Sequence, residues 1–286
     1  MNFIFYERRN SLLSVFIAFQ YLRSMNSGFE NKKALVCGST QGIGKAVALK
    51  MAELGATLVL VARNEESLKK AIGDLSVSHG QKHAYLVADF SKPEELKKVI
   101  AAFVSNGNKI DILVNNTGGP KGGPIINAEV SEFINTFNQH LVCNHILVQA
   151  LVPGMKEIGG GRIINVISTS VKQPLPNLGV SNTIRAAVGA WSKTLANELG
   201  QFNITVNNVL PGATNTARLQ GIAEVKSGNT GESVDAIFDE MALESPMKRI
   251  AQPEEVASAV VFLASSEASY INGINIPVDG GRTKSL

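Results

Sequence analysis

From Lys32 onward, short apolar runs rich in β-branched residues alternate with longer runs of helical period. The strand-like runs are KALVC (33–37), TLVLVA (57–62), HAYLVA (83–88), DILVNN (111–116), GRIINVIS (161–168), ITVNNVL (204–210) and GINIPV (273–278). Between them the spacing predicts helices over 42–55, from 64 through Leu75, 93–104, from Ser131 to about Met155, 181–200 and 253–264. Strands that are apolar at almost every position, separated by helices, belong to a parallel sheet covered on both faces. Right-handed crossovers then give an α/β, doubly wound parallel sheet of the Rossmann type in one domain, with ligands at the carboxyl ends of its strands. The stretch from Asn215 to Met247 shows no such period and reads as an irregular lid or binding loop. No period of 20–50 residues recurs, which excludes a solenoid.

Within SNTIRAAVGAWSKTLANELG (181–200), Ile184, Ala187, Val188, Trp191, Leu195 and Leu199 fall on one helical face. Ser181 and Arg185, four positions apart in its first turns, project from the same side. They read either as an N-cap with a surface charge or as the working end of a site.

The totals narrow the classes. With 286 residues, 44% hydrophobic and 18% charged, the chain fits one ordinary globular domain. Of the net charge of +3, two units come from Arg8, Arg9 and Arg23 against Glu7, so the remainder offers no basic footprint for nucleic acid or anionic lipid. Two cysteines, Cys37 and Cys143, give no disulfide framework and suit a reducing, cytoplasmic setting. Four scattered histidines exclude a Cys/His metal cluster. Residues 1–24 differ from the rest, holding six of the chain's seventeen aromatics with no run long enough to span a bilayer. They read as a leader, most simply translated upstream sequence ahead of Met25, and the domain as residues 30–282.

The first strand runs straight into CGSTQGIGKA, with Gly38, Gly42 and Gly44 spaced G-x3-G-x-G. Such glycines let a backbone turn sharply beside a pyrophosphate while the following helix offers its N-terminal N–H groups. Further on stand ADF (88–90), NNTGG (115–119), PGATNT (211–216) and VDGG (278–281). In this order and spacing, the five motifs resemble the short-chain dehydrogenase/reductase family, in its classical acyl-carrier-protein-reductase-like branch, over residues 30–282. The resemblance implies cofactor contacts from Gly38, Ser39, Gln41, Gly42, Ile43 and Gly44 in the glycine turn, and from Asp89 and Phe90 beside adenine. It adds Asn115, Thr117 and Gly118 in the fourth-strand motif, Pro211, Gly212 and Thr216 after the sixth strand, and Arg185 at the ribose.

The second strand ends VARN, with no carboxylate to accept ribose hydroxyls, and Arg63 can pair with a 2′-phosphate. NADP(H) is therefore expected in preference to NAD(H). At the catalytic positions the chain departs from the family. Ser168 matches the family serine, but Ser181 stands where the tyrosine belongs, Arg185 at the lysine position and His140 at the asparagine position. A serine hydroxyl is far less acidic than a phenol and shorter in reach, whereas arginine keeps its charge and a fork of donors. Two readings follow. In one, Ser168 and Ser181 orient a carbonyl, Arg185 stabilises the oxyanion and ribose, and His140 supplies the proton directly or through water. The paired His and Arg would also suit a carboxylate-bearing substrate. In the other, the protein is a catalytically impaired dinucleotide binder acting as a sensor or partner subunit. The resemblance further implies a homo-oligomer, tetramer or dimer, formed through the helices at 131–155 and 182–199 and the last strand, and a 3-oxoacyl thioester or related ketone as substrate.

Overall fold

The computed structural model describes residues 28–285, so the leader expectation for 1–24 lies outside the described residues. The strands are β1 (Lys33–Cys37), β2 (Thr57–Ala62), β3 (Ala84–Val87), β4 (Ile112–Asn115), β5 (Gly161–Val166), β6 (Ile204–Pro211) and β7 (Asn275–Val278). The helices are α1 (Gly42–Glu53), α2 (Glu65–Gly73), α3 (Pro93–Ser105), α4 (Val130–Phe137), α5 (Cys143–Glu157), α6 (Gly179–Leu199), α7 (Ala217–Thr230), α8 (Val234–Leu243) and α9 (Pro253–Ala264). All seven strands pair in parallel in the order β3-β2-β1-β4-β5-β6-β7. The order reverses between β1 and β4, and the crevice at that switch point is where such sheets bind ligands.

The strand composition follows from burial on both sides. On β1, Ala34 and Val36 enter the core beneath α1 and α9, while Leu35 and Cys37 enter the opposite core beneath α3, α5 and α6. A strand apolar only at alternate positions would leave one of these layers unpacked.

One polar row crosses this apolar interior. Asn115, Asn165, Asn208 and Asn275 are register partners on β4 to β7. Each amide donates to the next: Asn115 Nδ2 to Asn165 Oδ1 at 2.8 Å, Asn165 Nδ2 to Asn208 Oδ1 at 3.0 Å, and Asn208 Nδ2 to Asn275 Oδ1 at 2.7 Å. Asn165 also donates to Ser192 Oγ at 2.8 Å, tying α6 to the sheet. The row satisfies groups that would otherwise be costly to bury.

Three local expectations are corrected. The stretch 215–247 is not irregular: it holds α7 and α8, with Thr216 Oγ1 accepting from Leu219 N–H and Ser233 Oγ from Ala236 N–H at their N-caps. Only Ala223 on α7 and Ile237 on α8 are buried, so no apolar stripe marks either helix in the sequence. The predicted helix 131–155 is broken by a π turn, Asn138–Val142, that carries His140. Ser181 is no N-cap, because α6 starts two residues earlier with Leu178 in the capping position.

Candidate active site

At the glycine turn, Gly38 and Gly42 have φ of +58° and +54°, the left-handed region that favours glycine. A Cβ on Gly38 would lie 2.5 Å from the Asn116 carbonyl oxygen, so β1 and the loop after β4 approach as only glycine permits. Asn116 Nδ2 donates to the carbonyls of Cys37 and Gly38 and fixes that approach. The side chain of Gln41, at the N-cap of α1, makes no capping bond, and no acidic residue occupies the first turn. The first N–H groups of this 12-residue helix are thus left for an anion. Ser39 is fully buried with its Oγ toward Val61 O, and Ile43 is half-buried. Thr216 closes the turn from the other side: its Cγ2 lies 3.1 Å from where a Gly42 Cβ would sit. Gly212, just after Pro211, lets that segment press against Asp279, whose Cα lies 2.8 Å from a Cβ placed there.

A surface cavity of about 460 Å³ opens beside the ends of β2 and β3, lined by Arg63, Asn64, Ala88 and Asp89. The exposed Arg63 follows β2 directly. The nearby carboxylates are engaged: Glu95 pairs with Lys92 at 3.1 Å, and Glu65 and Glu66 with Lys69. Asp89 accepts from Ser91 N–H at 2.9 Å, which with Arg63 and Lys92 holds its carboxyl below the ordinary range against the cost of burial. Phe90 packs into the core under α3 and α5, and its carbonyl accepts from the Cys143 thiol.

The Asn115 side chain is buried in the asparagine row, where Nδ2 donates to Asn165 and Oδ1 has no partner among the described residues.

Deeper in the crevice, His140 and Arg185 converge. His140 is 2% exposed, and its Nδ1 lies 2.6 Å from Thr117 Oγ1 at the end of β4. Burial, then the Arg185 guanidinium, holds its pKa well below the usual 6.5, with the Gly118 carbonyl opposing and Arg218 assisting. The imidazole is therefore neutral at neutral pH. Arg185, 8% exposed on α6, donates from Nη1 to the Val166 carbonyl at 3.0 Å, two residues before Ser168. Burial and the Arg218 guanidinium push it down to about 10, which leaves it cationic at neutral pH. His140 Nε2 and Arg185 Nε have no hydrogen-bond partner among the described residues. Ser168 Oγ accepts from Ser170 N–H at 3.1 Å. Ser181 is half-buried one turn before Arg185. The structure thus brings Thr117, His140 and Arg185 together beyond β4 and β5, with Ser168 two residues after β5 and Ser181 one turn before Arg185 on α6, and it sets Arg63 with Asp89 at the ends of β2 and β3.

Comparison with known proteins places this fold. A family profile described as Enoyl-(Acyl carrier protein) reductase matches residues 38–283. The NADPH-dependent reductase BacG of Bacillus subtilis strain 168 is 32% identical over 256 residues, covering 89% of this chain and 99% of its own. The 3-oxoacyl-[acyl-carrier-protein] reductase FabG of Chlamydia muridarum is 31% identical over 257 residues, covering 90% and 99%. Among solved structures, L-sorbose reductase from Gluconobacter frateurii, complexed with NADPH and L-sorbose, superposes with a TM-score of 0.85 at 35% identity, covering 91% of this chain and 100% of that one. The chain is a short-chain dehydrogenase/reductase. It therefore belongs to a family of oxidoreductases, and the relatives named here are reductases.

Two residues of this short-chain dehydrogenase/reductase escaped the reading of its sequence. Asn116, the second asparagine of NNTGG, holds the glycine turn. Arg218 reaches from α7 to donate to the Pro120 carbonyl, and a Cβ on Gly119 would lie 3.2 Å from its Nη2. Its only sequence signal is its place two residues after the PGATNT motif.

Proposed function

We propose that this short-chain dehydrogenase/reductase is an NADP(H)-dependent oxidoreductase that interconverts a carbonyl and an alcohol through a non-standard site. The observation that carries the reading is the buried cation of Arg185 at the end of β5, beside a neutral His140 and one turn from Ser181. The residues present fit the cofactor. The glycine turn and the uncapped start of α1 suit its pyrophosphate, and the exposed Arg63, which belongs to no ion pair among the described residues, suits the 2′-phosphate. BacG and the sorbose reductase, both named with NADPH, support the same preference.

When bound, the cofactor supplies or accepts a hydride at the carbonyl carbon. In the reducing direction Ser168 and Ser181 donate to the carbonyl oxygen, and the Arg185 guanidinium stabilises the negative charge that develops on it. A fixed cation in a dry pocket provides much of the stabilisation that the family's phenol and lysine share. We assign the His140 proton to Nε2, with Nδ1 accepting from the Thr117 hydroxyl. His140 then passes that proton toward the alkoxide and takes one at Nδ1 from the half-buried Thr117 hydroxyl, which solvent reprotonates, so the alcohol gains one hydride and one proton. Because the imidazole is neutral, it works as one link in a relay and not as a resident imidazolium. The substrate class is a 3-oxoacyl thioester or related ketone. Exposed Val130, Ile134 and Phe137 on α4, with Phe262 on α9, support a homo-oligomer. No helix among the described residues is long and apolar enough to cross a membrane; a cytoplasmic enzyme is the reading we propose.

The test is NADPH binding and oxidation across a panel of ketones and 3-oxoacyl thioesters. Wild-type protein should consume NADPH, and His140→Ala and Arg185→Ala should each lose at least about a hundredfold in rate, the scale of a lost oxyanion donor. Unchanged rates in both variants would reject these roles. The absence of a phenol and the neutrality of His140 favour one alternative, a dinucleotide-binding sensor or partner subunit. Tight NADPH binding with no consumption across the panel would establish that reading instead.

A further inference from the structure

The crevice gathers positive charge without an acid to balance it. Among the described residues Arg185 is held only by the Val166 carbonyl, and its Nε has no partner. Arg218, the second residue of α7, spans the mouth to the Pro120 carbonyl and lies against Gly119, in the loop that also carries Thr117. Arg218 itself stays exposed at that mouth, so an incoming ligand can reach it. His140 presents an Nε2 without a partner and bonds on its other side to Thr117. Neither arginine belongs to any ion pair among the described residues. The electrostatics agree: the charges acting on Arg185 and His140 are cationic, and no carboxylate offsets the cost of burial at Arg185. Two guanidiniums at one crevice, Arg185 buried and Arg218 at the mouth, repel one another, and an anion between them offsets that repulsion.

We propose that Arg218 and Arg185 together receive a carboxylate of the substrate, so that the ketone reduced here is an oxo acid. The term "substrate" rests on the reductase reading above. A carboxylate is planar and accepts two parallel N–H bonds, matching the forks of both guanidiniums, and the carbonyl beside it is left facing His140. Arg218 releases the Pro120 carbonyl for the carboxylate, which couples the position of α7 to occupancy of the site. Another anion could claim Arg218, namely the pyrophosphate of the cofactor, because Thr216 two residues earlier lies against Gly42.

The experiment separates the two. Butyrate, an unreactive carboxylate, is titrated calorimetrically onto the NADP+-loaded protein and onto its Arg218→Met and Arg218→Lys variants, with NADPH affinity read by fluorescence. Reduction of acetoacetate is compared with that of its neutral methyl ester. Arg218→Met should weaken butyrate about tenfold or more, and should lower kcat/KM for acetoacetate about tenfold more than for the ester, the scale of one charged hydrogen bond. NADPH affinity should change far less, and Arg218→Lys should recover part of the loss. Equal losses for acid and ester, or a fall in NADPH affinity with butyrate binding intact, would overturn the proposal. Butyrate binding through Arg218 in a protein that consumes no NADPH would sink the reductase reading and leave the carboxylate site standing.

Discussion

At the scale of single residues, His140 shows how far identity falls short of chemistry. The sequence places an imidazole at a family catalytic position, and a free imidazole titrates near neutrality. Whether it does so here depends on its surroundings. Burial under the π turn and the neighbouring Arg185 guanidinium disfavour the charged form, so the folded pKa lies well below 6.5. The unfolded chain therefore takes up a proton near pH 6.5 that the native state refuses, and stability falls as pH drops below that value. The contribution is fully present above the unfolded pKa. Thermal unfolding followed from pH 8 to pH 5 should show wild-type protein losing more stability than His140→Gln. Equal losses would mean that His140 takes up its proton as readily in the folded chain as in the unfolded one. Arg185 makes the same point, since its position was readable but its lone bond to Val166 was not.

Elements were legible where packing imposed a period. β1, β2 and α9 fall where the pattern places them, because each buries apolar residues against the sheet. α7 and α8 were missed because they lie on the surface, and their formation rests on caps at Thr216 and Ser233. The π turn was missed because one extra residue in a helix leaves almost no trace in hydrophobic spacing. The strand-to-helix turn after β1 was legible from its glycines, and its demands can be measured. Gly42→Ala would place a Cβ at φ +54° and 3.1 Å from Thr216 Cγ2. It should cost about 1–2 kcal/mol of stability and weaken NADPH binding, read by urea unfolding and fluorescence titration. Full NADPH affinity in this variant would show that the turn does not cradle the cofactor.

Across the whole molecule, two apolar layers enclose a sheet threaded by the asparagine row from β4 to β7. Asn165 is its hub, fully buried and bonded to Asn115, Asn208 and Ser192. Asn165→Ala would strand the Asn115 amide and the Asn208 carbonyl oxygen in a dry interior. Their desolvation should lower stability by roughly 2–4 kcal/mol, seen as a drop in the urea midpoint. A change below about 0.5 kcal/mol would show that water or neighbours replace the lost partners.

The sequence by itself determined the order of strands and helices, the doubly wound class, the glycine turn and the unusual occupants of positions 140, 181 and 185. These depend on local pattern and spacing, which a chain carries at every position. Only the tertiary structure decided that His140 is neutral, that Asn115 turns into the sheet, and that Arg218, 33 residues beyond Arg185 in the chain, acts on the same crevice. Burial, field and convergence come from residues far apart in sequence, and they exist only once the sheet has brought those residues together.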